Sequence, residues 1–434
     1  MFIAIVILFV FGYVAIAMEH TIKIDKAASA LFIGVVCWTF LVIGKSVIFP
    51  EMSGEESTHH IESSLMEHIS EIAGILFFLL GAMTIVELID SHEGFSVITD
   101  KIKTVNRVKL VWILSLLTFF LSAALDNLTT AIVMSALIRK LMTDKKDLWL
   151  FAGMVILAAN AGGAWSPIGD VTTIMLWIGG QVSAANIMTE LILPSLVCLS
   201  VPLILMSFRM KGNVERPVRD DASGNEGSHV SKSDQNIVFY LGISALLFVP
   251  VFKTITHLPP FMGILLGLSV LWIVTEILHR KKSSDHRTSL SIVGVLRKID
   301  TPSILFFLGI LTAVGALQVG GHLTMVAEFL DRELGNVYIV NGAIGILSSI
   351  VDNVPLVAGA IGMYPLDVYP VDDTFWELLA YCAGTGGSIL IIGSAAGVAV
   401  MGIMKIDFMW YVKNITLYAL IGYLAGIGTF YVLN

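Results

Sequence analysis

The sequence predicts an all-α polytopic membrane protein built from two inverted repeats. Of its 434 residues, 56% are hydrophobic and only 14% are charged. Apolar segments long enough to cross a bilayer recur along the chain, and its two halves resemble each other. Soluble domains carry about 25% charged residues, so this composition excludes a soluble enzyme and a disordered chain. The net charge of −8 gives no sign of nucleic-acid binding, and the expected partner is the lipid bilayer.

The apolar segments correspond to about ten transmembrane spans of roughly 20 residues each. Two further segments, 110–138 and 337–363, are too long for one crossing and too short for two. Each also has ends of matching charge, and a re-entrant hairpin satisfies both constraints because it returns to the side from which it entered. The expected spans are 2–18, 28–49, 69–89, 148–182, 187–208, 236–253, 260–279, 302–320, 375–403 and 410–432.

The connecting segments orient the chain, because Lys and Arg favour the cytoplasmic side. Segments 50–68 and 364–374 contain neither residue and are placed outside, whereas 91–109 and 209–235 are basic and are placed inside. Both termini are then periplasmic. The N-terminal segment has no basic residue before Lys23, unlike a signal peptide, and is expected to be a retained span. The predicted organisation is a first repeat at 1–208, a cytoplasmic linker at 209–235 and a second repeat at 236–434.

Matching motifs in the two halves indicate an internal repeat. An odd number of crossings in each half makes the second half enter the membrane with the opposite orientation, as in secondary transporters. We therefore expect inverted repeats of five spans plus one re-entrant hairpin each, with broken helices at the midplane. The matching pairs are LLGAMTIVEL (79–88) with FLGILTAVGA (307–316), LSAALDNLTTAIVM (121–134) with LSSIVDNVPLVAGA (347–360), and NAGGAWSPIGDVTT (160–173) with GTGGSILIIGSAAG (384–397).

The two predicted hairpin tips carry the same acidic dipeptide, Asp126–Asn127 and Asp352–Asn353. A carboxylate at bilayer depth costs several kcal/mol unless it is paired, coordinated or protonated. Symmetric acids at this depth therefore indicate cation and proton binding. The alternative is structural, since Asp and Asn also cap helices by accepting hydrogen bonds from free backbone N–H groups.

Glycine-rich runs interrupt two apolar segments, at 160–170 and 384–394. Gly and Pro disfavour continuous helix, and unwound backbone at the midplane frees carbonyl groups that can coordinate ions. The alternative for the Ser and Thr residues here is a bond to their own helix backbone. The polar side chains in and beside the two runs are Asn160, Ser166, Asp170, Thr172, Thr173, Thr385, Ser388 and Ser394.

Tips and breaks together predict an acidic, oxygen-rich site. Hard cations prefer carboxylate, carbonyl and hydroxyl oxygens, and neither tips nor breaks contain Lys or Arg. Na⁺ is expected at Asp126 and Asp170, where burial disfavours the ionised carboxylate and lets H⁺ compete. No cofactor is expected; Na⁺ or Li⁺ and H⁺ are the substrates. The candidate ligands are Asp126, Asn127, Asn160, Asp170, Thr172, Thr173, Asp352, Asn353, Ser388 and Ser394, supported by Ser122 and Ser166.

Three further polar residues lie in the third span or just after it. Glu71, Glu87 and His92 are candidates for a proton relay or a pH response, and the alternative is interfacial charge without a role in transport. The cysteines Cys37, Cys198 and Cys382 lie in apolar runs without metal-ligand spacing and are expected to be small buried hydrophobic residues.

Over nearly its whole length the chain resembles the NhaD-type sodium/proton antiporters of the ion transporter superfamily. The motifs are SAALDNLTTAIVM (122–134), NAGGAWSPIGDVTT (160–173), SSIVDNVPLVAGA (348–360) and GTGGSILIIGSAAGVAVMG (384–402). The resemblance implies Na⁺ or Li⁺ exchange for H⁺ across the bacterial inner membrane by alternating access, and superfamily relatives imply a homodimer. It assigns importance to Asp126, Asn127, Asn160, Asp170, Thr172, Thr173, Asn353, Ser122 and Glu71.

Two alternatives within the superfamily are a sodium-coupled carboxylate symporter and an oxyanion (arsenite) carrier. Di- and tricarboxylate relatives have Ser-Asn-Thr at both tips, whereas this chain has Leu-Asp-Asn and Val-Asp-Asn. An acidic side chain in place of a hydroxyl group at the tips favours a cation as the substrate. In every case the expected protein is a transporter and not an enzyme.

Overall fold

The computed structural model describes residues 2–17, 19–99, 101–216, 230–280, 290–350 and 352–434. These ranges are helical apart from turns, loops and an isolated antiparallel bridge between Asn106 and Asn213. The helices are Phe2–Ala17, Glu19–Ile22, Lys26–Ile43, Lys45–Ile48, Gly54–Ser91, Ser96–Thr99, Arg107–Leu125, Asn127–Leu141, Lys145–Ala164, Val171–Ile178, Ala184–Arg209, Lys232–Thr256, Pro260–His279, Ile292–Leu296, Thr301–Val319, His322–Glu333, Val337–Ser348, Asn353–Met363, Thr374–Gly386, Ala395–Met404, Phe408–Asn414 and Thr416–Leu433.

Nine helices within the described ranges are long and apolar enough to cross a membrane. A tenth crossing results if Ala395–Met404 and Phe408–Asn414, bent by 114°, form one span. Large hydrophobic side chains such as Val35 and Phe208 are exposed on the surface of the chain, where a bilayer would cover them. The polytopic helical class predicted from composition is confirmed.

The third long helix, Gly54–Ser91, begins well before the span expected at 69–89. Ser53 Oγ accepts a hydrogen bond from Glu56 N at 3.2 Å, and the Glu56 carboxylate accepts one from Ser53 N at 3.3 Å. This capping box satisfies free N–H groups at the helix start. Most of the segment assigned to a loop by its polarity is therefore helical.

The motifs of the first half interrupt helices where the sequence predicts. Asp126 alone separates Arg107–Leu125 from Asn127–Leu141, at the predicted tip of the first hairpin. Arg107–Leu125 is by itself long and apolar enough to cross a membrane, unlike the expected arm of a re-entrant hairpin. Six non-helical residues, Trp165 to Asp170, separate Lys145–Ala164 from Val171–Ile178. Free helix ends thus occur next to the acids.

The second half has the corresponding interruptions. The predicted second hairpin corresponds to Val337–Ser348 and Asn353–Met363, and the predicted second broken helix corresponds to Thr374–Gly386 and Ala395–Met404. The two breaks have nearly the same backbone conformation where the helix resumes. Asp170 has φ −147° and ψ 151°, and Ser394 has φ −142° and ψ 153°.

Each hairpin is fastened to the broken helix of its own half by the same contact. Ser122 Oγ donates to the Ala159 carbonyl at 2.6 Å, and Ser348 Oγ donates to the Ala383 carbonyl at 2.9 Å. These contacts bring each tip beside a break and position the candidate site.

The first hairpin packs so closely on its broken helix that Gly162 admits no side chain. An added Cβ would lie 2.2 Å from the Phe119 carbonyl oxygen. We expect Gly162→Ala to destabilise the protein by about 1–3 kcal/mol through overpacking, measured as a lower Tm in detergent. Gly402→Ala is the matched control, because a Cβ there meets nothing within 4 Å. An equal or higher Tm for Gly162→Ala than for Gly402→Ala would contradict this packing.

Candidate functional site

The two hairpin tips converge on one carboxylate, that of Asp170, which is 1% exposed. Its Oδ2 accepts a hydrogen bond from Asn127 Nδ2 of the first tip. Asn353 Nδ2 of the second tip lies 3.3 Å from Oδ1 and 3.4 Å from Oδ2. The expectation that the tips approach each other is confirmed, and they meet across the first break.

The helix that begins after Asp170 also stabilises its carboxylate. Asp170 Oδ1 accepts hydrogen bonds from Thr172 N at 3.0 Å and from Thr172 Oγ1 at 2.9 Å. Thr173 Oγ1 instead bonds the Asp170 backbone, accepting from N at 3.2 Å and donating to O at 2.9 Å. The positive end of the helix dipole adds to this stabilisation. Thr172 therefore contacts the Asp170 carboxylate directly, whereas Thr173 caps the helix.

Asn160 connects the groups around Asp170 to the second break. Its Oδ1 accepts from Asn127 Nδ2 at 3.1 Å, and its Nδ2 donates to Ser388 Oγ and Ser394 Oγ, each at 2.9 Å. Asn160 is fully buried. One continuous hydrogen-bonded network, here called the Asp170 network, joins both tips and both breaks. Its members are Asp170, Thr172, Asn127, Asn160, Asn353, Ser388 and Ser394.

Asp126 lies beside this network and caps the return helix of the first hairpin. Its Oδ1 accepts from Thr129 N and its Oδ2 accepts from Thr129 Oγ1, both at 2.7 Å. The charge of Asp126 is close enough to repel that of Asp170. Its backbone has φ 98° and ψ 158°, a region that is strained for residues other than glycine. The capping alternative is therefore realised here together with proximity to the site.

Asp352 caps the second return helix and also has a basic partner. Its Oδ1 accepts from Val354 N at 3.3 Å, and its Oδ2 lies 3.7 Å from Lys26 Nζ. Lys26 carries no local sequence signal of a site, because nothing in its neighbourhood distinguishes it from a residue in a connecting turn. Only the folded chain brings it to the second tip.

The two supporting serines, Ser122 and Ser166, each hydrogen-bond a backbone carbonyl of a neighbouring segment. Ser122 donates to the Ala159 carbonyl, and Ser166 Oγ donates to the Ala123 carbonyl, so both hold the first tip against the first break. Thr385 bonds the Tyr381 carbonyl of its own helix at 2.6 Å. These residues position the site and do not present their hydroxyl protons to the Asp170 carboxylate.

The acids of the third long helix pair with residues outside the Asp170 network. Glu87 Oε1 lies 3.4 Å from Lys298 Nζ, and Glu71 Oε2 lies 3.8 Å from His68 Nδ1. The Glu71 side chain is 69% exposed on the chain. A role for either acid in proton transfer or pH response stays a prediction.

His92 forms a buried pair with a histidine distant in sequence. Its Nε2 lies 2.7 Å from His279 Nε2, and the rings stack with centroids 4.9 Å apart. His92 Nδ1 contacts the Leu88 carbonyl at 2.7 Å. The pair joins the end of Gly54–Ser91 to Pro260–His279, and its role in a pH response stays a prediction.

The fold and the site together define a class of protein. Interrupted helices that bring polar groups and a buried carboxylate together inside a bundle of membrane spans are the architecture of secondary transporters. Residues 13–378 match the family model described as citrate transporter.

Similar proteins narrow this class to a family. The chain is 47% identical over 429 residues to Sodium/proton antiporter 1 of Arabidopsis thaliana, which covers 99% of this chain and 72% of that protein. It is 43% identical to Sodium/proton antiporter 2 of the same plant, covering 98% of both chains. It is 31% identical to the Na(+)/H(+) antiporter NhaD of Vibrio cholerae, covering 99% of this chain and 91% of that protein. The chain belongs to the NhaD-type sodium/proton antiporter family.

The network predicts a large effect of removing Asn160. Asn160→Ala removes one buried hydrogen-bond partner from each of Ser388, Ser394 and Asn127, which costs about 1–3 kcal/mol and should lower the Tm in detergent. Asn414→Ala is the matched control, because its amide bonds the Trp410 carbonyl of its own helix, at 2.8 Å, and no other side chain among the described residues. A Tm decrease no larger than that of the control would show that the network does not hold the two halves together.

Proposed function

We propose that this chain is a secondary transporter that exchanges Na⁺ or Li⁺ for H⁺. The observation that carries the proposal is the Asp170 carboxylate, buried and held by neutral donors from both halves of the chain. Within the described part of the chain, neither Asp170 nor Asp126 forms an ion pair with a basic side chain. A buried acid in this state is neutralised by binding either a cation or a proton. The printed names of the relatives support Na⁺ and H⁺ as the ions.

Competition between the two ions at Asp170, with Asp126 beside it, would couple their movements. Carboxylate and hydroxyl oxygens of the Asp170 network are hard ligands suited to Na⁺. The amides of Asn127 and Asn160 carry both a donor nitrogen and an acceptor oxygen, so they can serve the ionised carboxylate or a bound cation. Binding of either ion removes the uncompensated charge, which allows the site to change its access from one side to the other.

We further propose that residues 1–208 and 236–434 form inverted repeats, with re-entrant hairpins, and that alternating access moves one half against the other. The paired contacts Ser122–Ala159 and Ser348–Ala383, and the matched conformations at the two breaks, support this arrangement. Within the proposed cytoplasmic linker, residues 217–229 lie outside the described ranges.

The proposed setting is a multi-pass protein with both termini on the periplasmic face. The bacterial inner membrane stays a prediction, because similar proteins come from a plant as well as from bacteria. The proposed homodimer is supported only by the superfamily resemblance, and cross-linking in native membranes tests it.

A second candidate function follows from the description of the matching family model, citrate transporter. A sodium-coupled carboxylate symporter of this fold would bring a polyanion next to Asp126 and Asp170, which repel it unless cations bind first. We therefore favour the cation exchanger. Proteoliposomes are expected to show Na⁺-driven H⁺ movement and no Na⁺-dependent uptake of labelled citrate or arsenite. The reverse pattern would replace the proposed function with this alternative.

Charge removal at the site is expected to abolish exchange. Asp170→Asn and Asp126→Asn keep the shape of the side chain, and Asn still caps a helix, so folding should persist. We expect each variant to weaken the apparent Na⁺ affinity at least tenfold, about 1.4 kcal/mol, or to eliminate the Na⁺-dependent change of the proton gradient in everted vesicles.

Asp144→Asn is the matched control for this experiment. Asp144 caps Lys145–Ala164 by accepting from Lys146 N and Asp147 N and lies at the other end of that helix from the break. We expect this variant to retain exchange. Retained exchange in both site variants would overturn the assignment of Asp126 and Asp170.

The proposed orientation has its own test. In a chain whose three cysteines are replaced, Glu215→Cys should react with a membrane-impermeant maleimide only from the cytoplasmic face, because segment 209–235 is basic. Intact cells should therefore leave it unlabelled and everted vesicles should label it. Labelling in intact cells would invert the proposed topology.

A further inference from the structure

Asp352, the acid at the second tip, has a basic side chain beside it. Within the described ranges, Asp126 and Asp170 form no such ion pair. Lys26 Nζ lies 3.7 Å from Asp352 Oδ2, and the two side chains are only 23% and 17% exposed. The same ammonium group lies 4.4 Å from the centroid of the Phe306 ring, a cation–π contact. Lys26 is thus held between an aromatic face and a carboxylate.

The helix that carries Lys26 is anchored away from the hairpins. Asp25 caps it by accepting from Ala27 N at 2.8 Å, and Trp38 Nε1 donates to the Thr312 carbonyl at 2.8 Å. Helix Lys26–Ile43 is thereby fixed against Thr301–Val319, which also carries Phe306. The ammonium group is therefore presented to the second tip by elements outside both hairpins.

The charged and titratable groups around this pair are few. The Tyr13 hydroxyl of helix Phe2–Ala17 is buried and lies close to Asp352. The Asp352 charge also reaches Asp170, and the Asp170 charge reaches Asp126. Lys26 is consequently the one basic group that ion pairs bring to these three acids within the described ranges.

We propose that Lys26 is a resident counter-ion that neutralises Asp352 and thereby sets the Na⁺ affinity of the Asp170 site. The inference rests on the proposed exchange of Na⁺ for H⁺. An ammonium group at ion-pair distance competes with Na⁺ for the same oxygen and repels a second cation beside it. Asp352 is therefore not a second exchanging acid; together with Lys26 it contributes no net charge to the site. Lys26 is a positioning residue that acts through Asp352.

Removing either partner alone should shift Na⁺ affinity in opposite directions. Lys26→Met keeps an unbranched stem against Phe306 and leaves Asp352 uncompensated, so the site becomes more negative and apparent Na⁺ affinity should rise at least threefold. Asp352→Asn leaves the ammonium group uncompensated, so apparent affinity should fall at least threefold. A purely structural role would lower stability in both variants without this change of sign.

The double variant Lys26→Met with Asp352→Asn removes both charges and should return within threefold of the unmodified protein. Lys26→Arg keeps the charge and should also remain within threefold. Lys45→Met is the matched control, because Lys45 Nζ bonds the Gly54 carbonyl and Thr58 Oγ1 and forms no ion pair with a carboxylate among the described residues. Apparent Na⁺ affinity is measured in everted vesicles at one alkaline pH, with Tm in detergent as the folding check.

Two results would overturn the inference: single variants that shift affinity in the same direction, or a double variant whose affinity differs more than threefold from that of the unmodified protein. If Lys26→Met is not recovered folded, the double variant decides, and a tenfold affinity loss there contradicts the proposal. Absence of Na⁺/H⁺ exchange in the unmodified protein would instead reject the proposed function itself. The two failures are therefore distinguishable.

Discussion

The structure depends on burying the carboxylate of Asp170 inside a bundle of apolar helices. An ionised group in such surroundings is costly unless hydrogen bonds or counter-charges compensate it. Here the compensation comes from neutral donors: Thr172 at a helix start, Asn127 at the first tip and Asn353 at the second. Continuous helices would have used these backbone N–H groups internally, so the interruption of the helices is what makes the site available.

The need to hydrogen-bond buried polar groups also explains why the two halves meet at the Asp170 network. Asn160 uses both its amide oxygen and its amide nitrogen in hydrogen bonds. The oxygen accepts from Asn127 of the first half, and the nitrogen donates to Ser388 and Ser394 of the second half. The first half contributes the uncompensated acids. The second half contributes hydroxyl and amide groups, and an acid that Lys26 neutralises. Sequence-matched halves thus carry unequal charge.

Close packing holds this polar centre in place. Ser122 and Ser348 fasten the hairpins to their broken helices, and Gly162 and Gly386 allow backbone to approach backbone at the matching positions. Each tip of this chain carries an acid, Asp126 at the first and Asp352 at the second. In the proposed exchange, the charge at Asp126 and Asp170 would favour a cation over an anion.

The sequence alone determined the membrane class, the breaks at 160–170 and 384–394, and most members of the Asp170 network. These features are local: apolar run length, glycine content and an acid within an apolar run can be read without knowing the fold. The tertiary structure decided the pairing of Lys26 with Asp352, the pairing of His92 with His279, and the separation of Glu71 and Glu87 from the site. Partners hundreds of residues apart leave no local signal, because only packing of the helices determines which polar groups share a buried space.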